Sequence, residues 1–279
     1  APAAPRRKEK REPGDETRSG RGRPVASAPP SRMGVAIISV LLQYLSSGKG
    51  RPAPVRAMGI GMACDECVFS AERQALFVEL SGDRNPMHVD ALHARRQISG
   101  GLAVHGIHLL LTALDLHLAR AGDTVQTSTR LPDLKVKFQS FAQVGETISF
   151  KATDETSGSV RLTACRGAQV VMTARVAWTD VPGGEPATSG AWALTGPAAD
   201  LGWPDLAGRA GAVVLGGDLD AARALFPELV RRVPHAVLYD LLAATRLVGM
   251  VCPGLRSIFG GLHVKPGPIR HAGELRYRV

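Results

Sequence analysis

An acidic residue and a histidine lie five positions apart in the stretch LSGDRNPMHVDALHARR, residues 80–96; they are Asp83 and His88. A carboxylate can accept a proton or orient water, and an imidazole can exchange a proton near neutral pH. On a continuous helix this spacing would turn the two side chains away from each other. The step Asn85–Pro86 disfavours such a helix, because proline pushes the preceding residue out of the α region. A folded-back loop can therefore bring Asp83 and His88 together as an acid–base pair.

A glycine-rich step follows the loop and leads into an apolar segment. The run GLAVHGIHLLLTALDLHLARAG predicts a long buried helix over residues 101–122. The backbone N–H groups of Gly100 and Gly101 would then lie at its N-terminus, where they suit a developing oxyanion. Acid, base and oxyanion donors together indicate chemistry that polarises a carbonyl and adds or removes water beside it. The alternative is that GDRNP forms only a surface turn, since all its residue types except Arg favour turns.

The surrounding pattern predicts an α+β fold. A short helix is expected over residues 69–82, with Ser70 as its N-cap. The alternating or β-branched runs after the long helix predict four strands, at 134–142, 146–154, 159–167 and 169–180. A helix that is apolar on nearly every face must be wrapped by other elements. We therefore expect antiparallel strands around one buried helix.

The pattern restarts after a linker at residues 181–200, which is rich in Gly, Pro, Ala, Ser and Thr. The sequence LKVK at 134–137 matches LHVK at 262–265, and VGE recurs as AGE at the same offset of 128 residues. The short and long helices recur near 218–229 and 233–249, but the short helices are offset by about 149 residues. The second copy thus keeps the scaffold and lacks a segment of about the length of the Asp83–His88 loop. By this offset it also lacks its final two strands, so either the copy is truncated or another segment completes its sheet.

Composition limits the classes of partner. Of the net charge of +9, residues 1–56 carry 12 Lys/Arg against 4 Asp/Glu, so the rest of the chain is close to neutral. This predicts a basic disordered leader on a folded part that does not bind nucleic acid. The apolar run at 34–45 is too short to span a membrane as a helix and is expected to pack on the domain as a short strand or helix. Cys64 and Cys67 form a lone C-x-x-C without a second pair, so no metal site is predicted and the cysteines are expected to be reduced, as in the cytoplasm.

The sequence SGDRNPMHVD, followed by GGLAVHGIHLLL, resembles the hydratase motif of MaoC-like hotdog proteins, the (R)-specific enoyl-thioester hydratases and dehydratases. The resemblance covers about residues 57–180 and implies a hotdog fold, in which a long helix is wrapped by an antiparallel sheet. Residues 201–279 resemble a degenerate second copy, as in tandem double-hotdog members. The organisation expected is therefore leader 1–56, catalytic hotdog 57–180, linker 181–200 and an incomplete second hotdog 201–279.

The resemblance implies a role for each residue of the motif. Asp83 and His88 would hold and activate water, and the amide of Gly100 or Gly101 would bind the thioester oxygen. The remaining motif residues would support the loop or set the packing of the helix; they are Ser81, Gly82, Asn85 and Pro86 in the loop, and His105 and Gly106 at the helix. Met87, Val89, Leu109 and Leu110 could line an acyl channel. No cofactor is implied, because the thioester itself acidifies the α proton.

The function expected from the resemblance is reversible hydration of trans-2-enoyl thioesters to (3R)-3-hydroxyacyl thioesters, a hydro-lyase activity on CoA or acyl-carrier-protein substrates. A non-catalytic acyl-thioester-binding or scaffold subunit would use the same fold without turnover. A thioesterase is the more distant alternative, since hotdog folds also support thioester hydrolysis. The two copies could pair within the chain as a pseudo-dimer, or the chain could form homodimers. Cytoplasmic location without membrane association is expected.

Overall fold

The computed structural model describes residues 39–43, 65–120, 129–155, 158–181, 196–214, 216, 218–255, 257–265 and 274–279. Most of the predicted leader, most of the predicted linker and Cys64 lie outside these residues. The strands are β1 (Ser39–Gln43), β2 (Asp65–Val68), β3 (Thr129–Phe138), β4 (Thr147–Asp154), β5 (Ser159–Arg166), β6 (Gln169–Val181), β7 (Ala210–Val214), β8 (Ile258–Val264) and β9 (Glu274–Arg278). The helices are α1 (Ala71–Ser81), α2 (Pro86–Val89), α3 (Ala91–Arg95), α4 (Gly106–Arg120), α5 (Leu219–Leu225), α6 (Pro227–Arg232) and α7 (His235–Arg246). A 3₁₀ turn covers Trp203–Asp205, and a π-helical turn, Leu247–Val251, continues α7.

One antiparallel sheet joins seven strands in the order β1-β8-β3-β6-β5-β4-β2, and β7 and β9 pair separately. The apolar helix α4 packs its leucines into the main core with strand residues such as Leu134, Ile148 and Val176. Its middle turns are buried on almost every side, as the all-round apolar sequence requires. The predicted α+β hotdog arrangement, a central helix wrapped by an antiparallel sheet, is confirmed.

The ends of α1 follow the sequence signals, whereas the start of α4 does not. Ser70 accepts a hydrogen bond from the Arg73 amide at 3.2 Å, and Gly82 ends α1 in the left-handed region at φ 65°. The long helix was predicted from residue 101, but it begins at Gly106. The reason is tertiary, because the preceding residues pair with the chain beyond β3. The Val104 amide donates to the Ala142 carbonyl at 2.8 Å.

Strands β3 and β8 form the seam between the two copies, and their register is symmetric. Lys135 lies opposite His263, which is its own counterpart at the repeat offset of 128 residues. Leu134 faces Val264, and Val136 faces Leu262, so each residue pairs with the counterpart of the other. The two copies therefore meet about a pseudo-two-fold axis that passes between Lys135 and His263, as two identical subunits would across an isologous interface.

The outer strands extend the same correspondence. Strand β2 pairs with β4 as β7 pairs with β9. Arg278 in β9 is the counterpart of Phe150 in β4 at the repeat offset of 128 residues. Strand β1 pairs with β8 on the side away from β3, which is the place that β6 takes beside β3. The predicted short segment within 34–45 is thus a strand, and it supplies one of the places that the second copy was expected to leave open.

Within the described ranges, no helix combines the length and the apolar character that crossing a bilayer requires.

Candidate active site

The loop between α1 and α2 is folded by its own side chains. Ser81 accepts the Asp83 amide at 3.2 Å, and Asp83 Oδ1 accepts the Asn85 amide at 3.2 Å. Asn85 then caps α2 by accepting the Met87 amide at 3.1 Å, with Pro86 in the first turn. These successive side-chain-to-backbone bonds reverse the chain within a few residues. Ser81, Asn85 and Pro86, which the resemblance predicts to support the loop, are the residues that make these contacts or begin α2.

Asp83 is almost fully buried, with 1% of its surface exposed. Its Oδ2 accepts the Thr245 hydroxyl at 2.8 Å. Burial raises the pKa of the Asp83 carboxyl, because water can no longer solvate the charge; the nearby His88, the Thr245 hydroxyl and the Asn85 amide oppose this rise. Gly249 packs so closely that a Cβ there would lie 2.2 Å from Asp83 Oδ1. The carboxylate is therefore held in a narrow, mostly dry site.

His88 presents one ring nitrogen as a base. Its Nδ1 lies 2.7 Å from the Ala103 carbonyl, which can only accept, so Nδ1 carries the proton of the neutral ring. The lone pair is then on Nε2. Burial lowers the pKa of His88, while the charge of Asp83 opposes that shift, so the neutral form dominates at neutral pH. A carboxylate oxygen of Asp83 and one ring nitrogen each of His88 and His105 all lie within 4.8 Å of one another. The structure thus brings the predicted acid–base pair together.

His105 packs beside this pair, and both of its ring nitrogens are hydrogen-bonded. Its Nε2 donates to the Asp83 backbone carbonyl at 3.1 Å, and its Nδ1 accepts from Gln74 Nε2 at 3.1 Å. The ring stacks on His88 with a centroid distance of 3.7 Å. Burial lowers the pKa of His105 well below its usual value, so the ring is neutral. Both ring nitrogens of His105 are engaged in hydrogen bonds. Of these three residues, only Asp83 and His88 would then be available as metal ligands, which does not favour a metal site here.

Gly100 and Gly101, the residues predicted to bind the thioester oxygen, precede the first turn of α4 and do not form part of it. Gly100 sits in a turn at φ 68°, and its amide donates to the Gln97 carbonyl at 3.0 Å. Neither Gly100 nor Gly101 lines the cavity described next, whereas Gly106 does. Because α4 begins at Gly106, the amide of this residue belongs to the first helical turn, where amides lack an intrahelical partner. The position at the helix N-terminus that the prediction gave to residues 100 and 101 therefore belongs to Gly106.

A cavity of about 370 Å³ opens at the Asp83–His88 pair. Both copies line it. Its apolar lining residues are Met87, Ile98, Val104, Leu109, Phe138, Phe141 and Ala142 from the first copy, and Val248, Ile258 and Phe259 from the second. Of the proposed channel residues, Met87 and Leu109 line it, whereas Leu110 is buried in the core and Val89 is exposed. The second copy thus forms one wall of the cavity.

Comparison with known proteins finds similarity to one family model and to several solved structures. Residues 61–175 match the family model described as MaoC like domain. Among solved structures, an (R)-hydratase from A. caviae involved in PHA biosynthesis is 23% identical, with TM-score 0.34, covering 44% of this chain and 96% of that chain. A Mycobacterium tuberculosis protein with a double hotdog fold is 19% identical, with TM-score 0.45, covering 75% of this chain and 78% of that one. A putative MaoC domain protein dehydratase from Chloroflexus aurantiacus is 10% identical, with TM-score 0.47, covering 88% and 81% respectively.

A search among curated protein sequences finds no match.

Proposed function

We propose that this chain reversibly hydrates trans-2-enoyl thioesters to (3R)-3-hydroxyacyl thioesters, as the match of residues 61–175 to the MaoC like domain model suggests. One observation carries the proposal: the buried Asp83 carboxylate and the His88 ring face the same largely apolar cavity. Residues 57–180 would be the catalytic copy and residues 201–279 its partner copy. The cytoplasm remains the predicted location.

The contacts support a role for each group in the proposed reaction. In hydration, Asp83 orients a water molecule whose proton passes to Nε2 of His88 as the water oxygen bonds to the β carbon. The electron pair of the C=C bond moves onto the thioester oxygen, which accepts a hydrogen bond from the Gly106 amide. The imidazolium, stabilised by the adjacent carboxylate, then returns its proton to the α carbon. Dehydration is the reverse sequence, and no cofactor enters either direction.

The lining indicates the kind of substrate. Methionine, leucine, isoleucine and phenylalanine side chains surround most of the cavity and suit an acyl chain rather than a charged or sugar-like group. The thioester would lie where Gly106, His88 and Asp83 converge. Beyond the thioester, the substrate would carry either CoA or the pantetheine arm of a carrier protein.

The test is hydration of short- to medium-chain trans-2-enoyl-CoA, followed by loss of the absorbance of the conjugated thioester. We expect turnover by the natural chain and a decrease in kcat of about 10²- to 10⁴-fold in Asp83→Asn and His88→Ala, as for other general acid–base groups. His93→Ala is the matched control, because His93 contacts Gln97 and is outside the cavity lining.

Three outcomes separate the alternatives. A folded protein that binds enoyl-CoA without turnover at any chain length would be a binding or scaffold subunit. Release of free CoA would identify a thioesterase. Turnover that survives both Asp83→Asn and His88→Ala would refute the assigned mechanism.

A further inference from the structure

The catalytic carboxylate of the proposed reaction is held by a residue of the other copy. Thr245, at the end of α7, donates its hydroxyl to Asp83 Oδ2 at 2.8 Å, although the two residues are 162 positions apart. Thr245 is 3% exposed and also lines the cavity. It lies outside the MaoC-like domain match at residues 61–175. The contact therefore belongs to the pairing of the two copies and not to the loop motif.

The hydrogen bonds of the carboxylate leave room for water. Oδ2 accepts from Thr245, and Oδ1 accepts from the Asn85 amide at 3.2 Å. An ionised carboxylate has about four acceptor positions, so further positions remain for a water molecule facing the cavity. With one donor on each oxygen, the plane of the carboxylate is fixed. A carboxylate that must orient water benefits from such fixation, because misplacement of a reacting group slows the reaction steeply.

The segment after Thr245 completes a cradle around the loop. The Gly249 carbonyl accepts from Asn85 Nδ2 at 3.0 Å, and the Gly254 carbonyl accepts from the same nitrogen at 3.4 Å. Gly249 also leaves the space into which the Asp83 carboxylate fits. The residue that shapes the loop, Asn85, is thus anchored by the same segment as the residue that reacts.

We propose that Thr245 is a positioning residue, which orients the Asp83 carboxylate through the hydrogen bond of its hydroxyl to Oδ2. The second copy lacks an Asp–His loop of its own and instead supplies this donor to the loop of the first copy. The expected effect on kcat rests on the proposed function, whereas the orientation of the Asp83 carboxylate by Thr245 does not. Asp83 would remain poorly oriented in a chain without the Thr245 hydroxyl.

The kinetic test compares Thr245→Val, which removes the donor at nearly constant volume, with Thr245→Ser, which keeps it. We expect kcat to fall about 10- to 100-fold in Thr245→Val, as for loss of a hydrogen bond to a charged group. Thr245→Ser should regain most of this loss. His88 and Arg246, whose charges also lower the pKa of Asp83, stay in place in this variant. Loss of the donor therefore raises the pKa of Asp83, and the acid limb of the kcat/KM profile should move to higher pH in Thr245→Val.

Thr112→Val is the matched control for removing a buried hydroxyl. Thr112 is 3% exposed on the other central helix, α4, and its hydroxyl has no hydrogen-bond partner within the described part of the chain. Its removal should leave kcat and the pH profile at their natural values. If Thr245→Val does not fold, Thr245→Cys takes its place, because a thiol is a weak donor of similar size. The same decrease and the same shift are expected for it.

A second readout does not depend on turnover. The ¹³C shift of the Asp83 carboxyl, assigned by its absence in Asp83→Asn, reports the protonation of that group directly. We expect its midpoint at higher pH in Thr245→Val than in the natural protein and in Thr245→Ser. If the natural protein turns over no enoyl thioester, the proposed function fails while this titration still tests the positioning. An unchanged titration, or an unchanged kcat in an active enzyme, would overturn the role of Thr245.

Discussion

Substitution of Gly249 by alanine should slow the proposed reaction by displacing the Asp83 carboxylate. The new Cβ would lie 2.2 Å from Oδ1 and 2.5 Å from Oδ2 of Asp83, whereas real Cβ contacts are essentially never shorter than 3.0 Å. The carboxylate must therefore retreat by about 0.8 Å or the π-helical turn must move by that amount. A displacement of this size near a reacting group reduces rates by about 10²-fold. We expect kcat of Gly249→Ala to fall by about that factor.

The stability of the same variant has two opposing contributions. Alanine is better than glycine in a helical backbone by up to about 1 kcal/mol. Lengthening the Thr245–Asp83 hydrogen bond removes about 1.5–3 kcal/mol. The free energy of unfolding should therefore decrease by about 0.5–3 kcal/mol, which is less than the roughly 5–15 kcal/mol of a typical domain. Enoyl-CoA hydration and urea denaturation, measured together, separate the loss of activity from a loss of fold.

A double-mutant cycle refines the test. If Gly249→Ala acts through Asp83, adding it to Asp83→Asn should lower kcat little further, since the group it displaces no longer reacts. Gly196→Ala is the control, because no described atom lies within 4 Å of a Cβ placed there. Wild-type kcat in a folded Gly249→Ala variant, or fully additive losses in the cycle, would refute the argument that the position of Asp83 limits the reaction.

Three further predictions concern the cavity wall, the proposed oxyanion donor and the buried His108. Phe259→Ala removes an aromatic wall contributed by the second copy and should shift the optimum of kcat/KM towards longer acyl chains, so an unchanged chain-length profile would contradict the assignment of the cavity. In Gly106→Ala the new Cβ would lie 2.9 Å from the Phe138 ring. It should push that ring and crowd the donor amide, reducing kcat/KM about tenfold or more in the hydration assay. The pKa of His108 lies well below its usual value because the ring is buried, so the unfolded chain takes up a proton below about pH 6.5 while the folded chain does not. Stability is thus lost as pH falls, by up to about 1.4 kcal/mol per pH unit, and urea denaturation of His108→Leu should show a shallower decrease between about pH 6.5 and 5.

Local signals in the sequence were sufficient for the loop and for the first helix. Ser70, Gly82 and Asn85–Pro86 act on their immediate neighbours, so their effects could be predicted without the fold. Asp83 and His88 meet because the loop is reversed by its own side chains. The same is true of β4, β5 and β6, whose bounds agree closely with the prediction. Strand β3 was predicted over residues 134–142, but it spans Thr129–Phe138, because its pairing with β6 extends to Thr129 and the chain leaves the sheet after Phe138.

The start of α4 depends on hydrogen bonds to residues that are distant in the sequence, which the pattern of neighbouring residues does not reveal. Residues 101–105 are apolar enough for either a helix or an extended segment, and periodicity alone cannot distinguish the two over such a short run. Pairing of Val104 with Ala142 selects the extended form. That choice moves the helix N-terminus from Gly101 to Gly106, and with it the expected oxyanion donor.

Residues of the second copy could not be assigned to the site from sequence. Thr245 and Gly249 belong to no recognisable sequence motif. Both contact Asp83 although they lie in the other copy, Thr245 at a separation of 162 positions. The internal repeat was the one signal available, since it predicts that the two central helices belong to related halves. It does not indicate which side chain of α7 reaches the loop, because that depends on the angle at which the copies pack.

The symmetric register at Lys135 and His263 has a consequence for how such a site can evolve. In an assembly of two identical subunits, a single gene encodes both sides of the two-fold axis. Any substitution near one site therefore also occurs at the other site. Here the two sides are encoded separately. A substitution at Thr245 or Gly249 leaves the corresponding positions of the first copy unaltered, so selection can act on the support of the carboxylate and on the carboxylate itself independently.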